Sequence, residues 1–233
     1  MPSVTPAWQD GLVDVRRLVL AEVAGLLAAQ DLGRPVLVGV DGVVGSGKST
    51  FARELVTVLR DDGRPAVHLD SDGFHHVRAV RQGGTDQARG YYDHAYDLEA
   101  LADRVLRPLR AGGSLEVATR VHDLETDEVV DDETAVVDPD AVVVFDCTFL
   151  QRDGLRDLWD EVVWLDAPRA AALRRGVSRD ALRLGGQDAA EAAYEARYMA
   201  ACDLYVAEQR PRERASIVVD HEDPANPRLV RRP

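Results

Sequence analysis

The sequence predicts an α/β fold in which a parallel sheet of about five strands is covered by helices on both faces. Two observations lead to this prediction. Short apolar runs of strand length recur along the chain and alternate with longer segments whose apolar residues have helical spacing. Strands that alternate with helices in this way form a parallel sheet that is covered on both faces. The runs are 36–41, 66–69, 141–146, 161–166 and 215–220.

The segments between these runs predict the helices that cover the sheet. An amphipathic helix over residues 11–30 precedes the first run, and residues 1–10 before it are expected to be loose. A second helix, 51–60, follows the first run. A third helix, 98–110, begins directly after an aspartate that suits the N-cap position. A further helical pattern is found near residues 152–159.

Two insertions interrupt the alternation of strands and helices. Residues 114–137 alternate apolar and polar side chains and predict a β-hairpin insert. Pro168 suits the first turn of a helix, and it begins a helical lid and the helix that follows, which together span 168–208. Residues 70–95 are irregular, and a stretch of that kind is usually functional or mobile. No linker separates two full domains, so we expect a single domain over residues 1–233.

The composition limits the classes of partner. The formal net charge of −13 argues against non-specific binding of nucleic acid, which needs a basic face. Cys147 and Cys202 are the only cysteines, as is typical of a protein from a reducing compartment. The sequence shows neither a signal-like N-terminus nor an apolar run of transmembrane length. We therefore expect a cytoplasmic protein without membrane or nucleic-acid partners, and the sequence leaves a homo-oligomer open.

The most specific motif lies between the first strand and its helix. Residues 42–49 read Gly-Val-Val-Gly-Ser-Gly-Lys-Ser and match the Walker A pattern G-x-x-x-x-G-K-[ST] at every fixed position. In such a P-loop, the backbone N–H groups and the positive end of the following helix face a phosphate. The residues expected to bind ATP are Gly42, Gly45, Ser46, Gly47, Lys48, Ser49 and Thr50.

Two residues of the P-loop have distinct expected roles. The Lys48 ammonium would reach the β- and γ-phosphates of ATP, and the Ser49 hydroxyl would bind Mg²⁺. Lys48 is also the only lysine among the 28 lysines and arginines of the chain. A chain that otherwise uses arginine has thus kept a compact ammonium where phosphates are expected. The motif predicts a P-loop NTPase with a three-layer fold that uses ATP and Mg²⁺.

An acidic turn follows the second apolar run. Residues 69–76 read Leu-Asp-Ser-Asp-Gly-Phe-His-His, and open α/β sheets bind ligands at the carboxyl ends of their strands. Asp72 would either hold Mg²⁺ through water or accept a proton from an acceptor hydroxyl. Residues 70–73 also fit the D-x-x-G pattern of GTPases, but the guanine motif Asn-Lys-x-Asp is missing, so that class is disfavoured. A carboxylate that only caps the turn is the alternative for Asp72.

The P-loop, the turn 72–74 and the later segment 91–94 (Tyr-Tyr-Asp-His) together resemble the superfamily of uridine kinases, pantothenate kinases and phosphoribulokinases. Uridine kinases carry Asp-Ser-Phe-Tyr in the turn and Phe-Asp-His-Pro in the later segment. Pantothenate kinases carry Asp-Gly-Phe in the turn, which is the spelling found in this chain. The resemblance spans about residues 36–225.

The resemblance implies roles for individual residues. Asp72 would be the catalytic base for the acceptor hydroxyl, Asp93 would hold the ribose hydroxyls of a nucleoside, and Tyr92 would pack near its base. His122, in the hairpin, falls where uridine kinases have a tyrosine that lines the nucleoside pocket. Asp146, at the end of its strand, would serve the Mg²⁺ site. The residues expected to bind the acceptor from these elements are Phe74, His75, Tyr92, Asp93 and His122.

The predicted lid carries Arg175, Arg179 and Arg183 at positions i, i+4 and i+8, which share one face of a helix. Planar guanidinium groups suit a phosphoryl group in transfer, and the resemblance implies a comparable lid. We expect Arg175 and Arg179 to act in catalysis and Arg183 to bind substrate. The alternative is a solvated helix face paired with nearby acids.

Together these expectations describe a P-loop kinase that transfers the γ-phosphoryl group of ATP to a hydroxyl of a small molecule. The leading acceptor is the 5′-hydroxyl of a nucleoside, uridine or cytidine. Two alternatives stay open: a kinase of another small alcohol with a pantothenate-like or phosphoribulose-like acceptor, and a nucleotide-binding regulatory ATPase. The sequence does not decide between ATP and GTP.

Overall fold

The computed structural model of the chain describes residues 14–233. Its first element is helix α1 (Val15–Ala28). The Asp14 carboxylate accepts a hydrogen bond from the Arg17 N–H and so satisfies one of the free amides of the first turn. Helix α1 falls within the range 11–30 predicted from the sequence. Residues 11–13 of that range and the stretch 1–10, expected to be loose, lie outside the described residues.

Eight strands are found in the described part of the chain. In chain order they are β1 (Val36–Asp41), β2 (Ala66–Asp70), β3 (Glu116–Ala118), β4 (Thr134–Val136), β5 (Val142–Asp146), β6 (Glu161–Asp166), β7 (Ile217–Asp220) and β8 (Arg228–Arg231). Six of them form one sheet in the order β2-β5-β1-β6-β7-β8. The first five are parallel, and β8 runs antiparallel to β7. Strands β3 and β4 form a separate antiparallel hairpin.

Helices connect these strands. Those after α1 are α2 (Lys48–Asp61), α3 (Arg78–Arg81), α4 (Gln87–His94), α5 (98–111), α6 (Arg169–Asp180), α7 (187–209) and α8 (Pro211–Arg214). Helices α5 and α7 each contain one π-helical stretch, Ala102–Leu106 and Tyr194–Met199. Within residues 14–233, no helix is both long and apolar enough to cross a membrane.

The predicted fold class is confirmed: a five-stranded parallel sheet with helices on both faces, a β-hairpin insert and a helical lid. Strand β8 is an addition that the sequence does not predict. Its four residues, Arg-Leu-Val-Arg, are too few and too charged to give a strand pattern. Pairing with β7 makes this segment a strand.

Two stretches depart from the predicted elements. The segment 70–95 is not irregular but contains a 3₁₀ turn (Ser71–Phe74) and the short helices α3 and α4, whose four and eight residues are too few to give a clear period. The helix predicted near 152–159 is only a 3₁₀ turn, Arg156–Leu158. Gly154 just before it has a φ of 86°, which a helix cannot contain.

Two apolar clusters lie on the two faces of the sheet. In β1, Val36, Val38 and Val40 belong to the cluster beneath α1 and α2, whereas Leu37 belongs to the cluster beneath α5 and α7. Burial on both faces accounts for the nearly continuous apolar runs in the sequence. This packing also holds in place the carboxyl ends of the strands, where the acidic residues lie.

Candidate active site

Three aspartates end neighbouring parallel strands at one edge of the sheet. Asp41 is the last residue of β1, Asp70 of β2 and Asp146 of β5. In the register of the sheet, Asp146 pairs with Val40 on one side and with Asp70 on the other. The P-loop leaves β1 at this edge, so that the Walker A motif and the three acids share one site.

The backbone of the P-loop requires glycine at two positions. Gly45 and Gly47 have φ values of 81° and 97°. A Cβ atom on Gly45 would lie 2.2 Å from the Ala172 carbonyl oxygen in α6, and one on Gly47 would lie 3.0 Å from the His221 ring. The loop is therefore packed between the lid helix and the segment that follows β7.

The loop presents hydrogen-bond donors that the protein itself does not use. Across residues 14–233, no acceptor pairs with the N–H of Gly45 or Gly47, and the buried Ser46 Oγ has no partner. Helix α2 begins at Lys48, so that the positive end of its dipole adds to these donors. Free amides at a helix N-terminus are what phosphates bind, and the residues present therefore fit the predicted ATP site.

Lys48 lies within this loop. Its ammonium donates hydrogen bonds to the carbonyl oxygens of Gly42 and Val43, both at 3.0 Å. Burial lowers the pKa of Lys48, and the nearby carboxylates of Asp41 and Asp146 act in the opposite direction. Both hydrogen bonds go to the loop's own backbone, so phosphate oxygens can replace these acceptors without displacing another side chain.

Ser49 and Asp146 lie together, as their predicted shared role requires. The Ser49 hydroxyl donates to Asp146 Oδ2 at 2.6 Å, and Asp146 Oδ1 lies 2.6 Å from Nε2 of His68. Asp146 is buried, so that its carboxylate is held in a fixed place. A hydroxyl beside a carboxylate is a pair of oxygen ligands that suits Mg²⁺, directly or through water.

Asp72 lies on the 3₁₀ turn directly after β2. The Asp70 carboxylate accepts a hydrogen bond from the Asp72 N–H at 3.0 Å and so holds the turn. The Asp72 side chain is 74% exposed, and its Oδ1 lies 3.7 Å from His75 Nε2. Its interaction with His75, followed by the positive charges of Arg179 and Arg53, lowers the pKa of Asp72. The site therefore offers an ionised, accessible carboxylate close to a lid arginine.

Two lid arginines converge on one buried acid. Arg179 donates to the two carboxylate oxygens of Asp180 at 3.1 and 3.0 Å, and Arg183 lies 3.2 Å from the same carboxylate. Tyr194 of α7 also donates to Asp180, at 2.7 Å. Gly176 allows this contact, because a Cβ there would lie 2.2 Å from the Tyr194 ring.

Arg175 points elsewhere. Its guanidinium donates to the carbonyl oxygens of His221 and Glu222, in the segment after β7. The prediction that the three arginines act from one helix face is wrong. Helix α6 ends at Asp180, so Arg183 lies beyond it, and the long Arg175 side chain turns toward carbonyl groups that accept its hydrogen bonds.

Three residues predicted to contact the acceptor are buried in the protein. Phe74 is fully buried, and Tyr92, 2% exposed, packs edge-on against Phe149. His122 is also 2% exposed, and its Nε2 lies 3.0 Å from Asp127. The structure corrects these three predictions. The apolar rings anchor the turn and α4 in the core, and the histidine is enclosed by its own hairpin.

A cavity of about 400 Å³ lies close to the acidic turn. Asp93, Tyr96 and Arg152 are among the residues that line it. The Tyr96 ring packs on the His75 ring, with centroids 4.4 Å apart, and His75 in turn lies beside Asp72. The cavity wall is therefore connected to Asp72 through two side chains.

Asp93 is held by two arginines at this cavity. The Arg89 Nε donates to Asp93 Oδ2 at 2.7 Å, and Arg152 lies 3.6 Å from Asp93 Oδ1. Arg152 also stacks over the Tyr92 ring and donates to the Tyr92 carbonyl oxygen. Of the residues predicted to bind the acceptor, Asp93 lines the cavity and His75 lies between it and Asp72.

Sequence reasoning missed three polar residues that support the site: Asp41, His68 and His221. Asp41 is fully buried behind the P-loop, where burial raises its pKa to about 6 against the hydrogen bonds it accepts from Tyr205 and Gln151. One signal was available. All three residues lie in or directly after an apolar strand run, where an ionisable side chain needs a partner.

Comparison with known proteins finds relatives among small-molecule kinases. A model of the phosphoribulokinase / uridine kinase family matches residues 37–223. A uridine kinase from Leuconostoc citreum is 27% identical over 150 residues, which cover 63% of this chain and 69% of that protein. A pantothenate kinase from Rhodopseudomonas palustris is 37% identical over 147 residues, which cover 57% of this chain and 45% of that protein. This chain thus spans less than half of the pantothenate kinase.

A solved structure is similar over nearly the whole of both chains. The structure of a possible uridine kinase from Bacillus stearothermophilus has a TM-score of 0.69 and 26% sequence identity. The matched region covers 87% of this chain and 97% of that chain. The similarity therefore extends well beyond the P-loop.

Proposed function

This chain belongs to the phosphoribulokinase / uridine kinase family, and on that premise we propose that it transfers the γ-phosphoryl group of ATP to a hydroxyl of a nucleoside. One observation carries the proposal: the P-loop Ser49 is hydrogen-bonded to Asp146 of β5, and Asp72 lies on the turn that directly follows the neighbouring strand β2. Phosphate-binding groups and a free carboxylate for an acceptor hydroxyl thus meet at one place. Such a site works mainly by positioning and by electrostatic stabilisation.

The P-loop residues divide the work of holding the nucleotide. The N–H groups of Gly45 and Gly47 bind phosphate oxygens, and the Lys48 ammonium exchanges its backbone acceptors for the β- and γ-phosphates. Ser49 and Asp146 would hold Mg²⁺, which would neutralise charge on the phosphates when bound. Burial of Asp146 keeps this pair in place between turnovers.

Asp72 acts on the acceptor. Its low pKa keeps it ionised at neutral pH, so it can accept a hydrogen bond from the acceptor hydroxyl and orient the oxygen toward the phosphoryl group. The positive charge of Arg179 reduces the repulsion between the Asp72 carboxylate and the negatively charged phosphates. His75 holds the turn from the side of the cavity through its hydrogen-bonding contact with the Ala95 carbonyl oxygen, at 2.7 Å.

The cavity beside His75 is the place we assign to the acceptor. Its volume of about 400 Å³ lies in the range of small-molecule sites. A nucleoside is favoured over other alcohols because the solved structure of a possible uridine kinase matches nearly the full chain, while the pantothenate kinase is matched over less than half its length. The alternative acceptor is a pantothenate-like or phosphoribulose-like alcohol, and the spelling Asp72-Gly-Phe favours it.

A panel of acceptors tests the proposal. ATP consumption would be measured with uridine, cytidine, other nucleosides, pantothenate and sugar phosphates, against a blank without acceptor. We expect uridine or cytidine to give the highest kcat/KM and the blank to be low. Turnover only with pantothenate or a sugar phosphate would show that the protein is a kinase of another small alcohol. Full turnover in the blank would make the protein a nucleotide-driven ATPase.

Asp93 gives a test of the sugar. If its carboxylate binds the ribose hydroxyls, a 2′-deoxynucleoside leaves one of those contacts unmade. A site built for a hydroxyl can reject the analogue by as much as ~10⁴-fold, and a carboxylate already shared with Arg89 and Arg152 should give less. We expect Asp93→Ala to raise KM for the ribonucleoside and to reduce the preference for ribose, with KM for ATP unchanged. A lower melting temperature with an unaltered ribose preference would show a purely structural ion pair.

Arg179 is the lid residue whose charge acts on Asp72. Because the Arg179 side chain is 65% exposed and its guanidinium is already bonded to Asp180, we expect less than the ~10³-fold effect of an engaged arginine finger. Arg179→Ala should lower kcat roughly tenfold and leave KM for ATP nearly unchanged. Arg183→Ala, which removes a neighbour of the same Asp180, is the matched control and should have a smaller effect. If both substitutions changed kcat equally little, the arginines would belong to a solvated helix face that is paired with nearby acids.

A further inference from the structure

His221 joins the P-loop to three helices. It follows β7 and is 1% exposed. Its Nδ1 lies 2.7 Å from the Ser46 carbonyl oxygen, and its Nε2 lies 3.1 Å from Arg16 Nη1 of α1. The ring packs edge-on against Phe51 of α2, with centroids 5.9 Å apart. Arg175 of the lid helix α6 donates to the His221 carbonyl oxygen at 3.2 Å.

These contacts fix which ring nitrogen carries the proton. A guanidinium can only donate, so Nε2 must accept the hydrogen bond from Arg16. The single proton of the neutral ring is then on Nδ1, where it is donated to Ser46. Burial lowers the pKa of His221 and so favours the neutral ring.

The hydrogen bond to Ser46 determines where the next amide points. The Ser46 carbonyl and the Gly47 N–H belong to one trans peptide, in which the two groups point in opposite directions. Holding the carbonyl against His221 therefore directs the Gly47 N–H away from the ring, toward the interior of the loop. That N–H is among the loop donors without a partner in residues 14–233.

Arg16, which contacts the His221 ring, is itself fixed by further hydrogen bonds. Besides contacting Nε2, Arg16 donates from Nε to Glu54 at 2.6 Å and from Nη1 to the Pro224 carbonyl oxygen at 2.6 Å. A Cβ on Gly47 would lie 3.0 Å from the His221 ring, so the ring and the loop are in direct contact. The contacts at both ring nitrogens therefore hold the ring in this orientation.

We propose that His221 is a positioning residue for nucleotide binding, which sets the orientation of the Ser46–Gly47 peptide and thereby aims the Gly47 N–H at a phosphate. The inference rests on the proposed function only in requiring that the P-loop binds a nucleotide. It concerns the affinity for the nucleotide and not the choice of acceptor.

Two isosteric substitutions separate the roles of the two ring nitrogens. Asparagine in His221→Asn places its amide NH₂ where Nδ1 is and can still donate to Ser46. Glutamine in His221→Gln places its amide group where Nε2 is, so it can accept from Arg16 but leaves the Ser46 carbonyl without its donor. We expect the dissociation constant for Mg·ADP, measured by calorimetry, to stay within about threefold of wild type for Asn and to rise about tenfold for Gln, since an unpaired buried carbonyl is costly.

Arg16→Leu is the matched control, because it removes the partner of the other ring nitrogen. It should lower the melting temperature by detaching α1 and leave the affinity for Mg·ADP within about threefold of wild type. In His221→Gln, KM for ATP should rise while KM for the acceptor stays the same. If the glutamine variant does not fold, His221→Phe, which keeps the edge contact with Phe51, takes its place with the same expected loss of affinity.

Equal affinities of the Asn and Gln variants, or a loss of affinity as large in Arg16→Leu, would overturn the inference and leave His221 a packing residue. A wild-type protein that binds no Mg·ADP would instead reject nucleotide binding by the P-loop, and with it the proposed function. The two failures are therefore distinguishable in one set of titrations.

Discussion

Replacing Lys48 with alanine is expected to abolish phosphoryl transfer and to leave the protein folded. Among residues 14–233, the Lys48 ammonium donates hydrogen bonds only to the carbonyl oxygens of Gly42 and Val43, within its own loop. Losing it removes the positive charge that stabilises the transferring phosphoryl group, an effect we expect to be roughly 10³-fold or more in kcat. ATP turnover at saturating Mg²⁺ with the best acceptor measures the loss, and circular dichroism with thermal melting checks the fold.

Lys48→Arg is the stricter control, because it keeps the charge. A planar guanidinium is larger than an ammonium and directs its hydrogen bonds in a fixed fork, so it does not fit a loop that packs around one ammonium. We expect this variant to be nearly as inactive as the alanine variant. If either variant kept most of the wild-type turnover, Lys48 would not be the phosphate-binding lysine, and the ATP site would have to lie elsewhere.

The main sheet could be predicted because its strands are buried on both faces. A strand such as β1 must be apolar along its length, and that pattern is readable without any knowledge of its neighbours. The P-loop could be predicted for a similar reason, since its glycines are required by backbone geometry and by the contact of Gly45 with Ala172. Strand β8 and helices α3 and α4 could not, because they are short and depend on pairing or packing with distant segments.

The acceptor side of the site was harder to predict, because a motif gives a residue's position along the chain and not the direction of its side chain. The positions of Phe74 and Tyr92 in short motifs predict contact with the acceptor. Burial of an aromatic ring in the core, however, stabilises the fold more than exposure of that ring at a binding site. Arg175 was expected to join Arg179 from helical spacing and from the family resemblance, but its long side chain reaches other acceptors, the carbonyl oxygens after β7. Asp72, on an exposed turn, has few competing contacts, so its motif role stays compatible with the structure.

The expected effect of Asp72→Asn is loss of turnover with nucleotide binding retained. Asparagine has nearly the same shape and can keep the contact with His75, but it carries no negative charge and cannot take up a proton. Its substitution removes an exposed carboxylate that lies beside His75 and interacts with the positive charge of the lid arginine Arg179. General-base assistance is typically worth ~10² to 10⁴ in rate, and we expect kcat to fall within that range.

The pH profile and the Mg²⁺ dependence test whether Asp72 orients the acceptor hydroxyl or belongs to the metal site. Its pKa is lowered by the interaction with His75 and by the charges of Arg179 and Arg53, so the carboxylate is ionised at every pH above the ordinary pKa of an aspartate. Activity that depends on Asp72 should therefore be level through neutral pH and fall only as the pH drops below that value, and any loss nearer to neutrality must come from another group. Dissociation constants for Mg·ADP should be the same for wild type and Asp72→Asn. If the variant instead turned over at the wild-type rate once extra Mg²⁺ was supplied, Asp72 would belong to the metal site, and the acceptor hydroxyl would need no carboxylate from this turn.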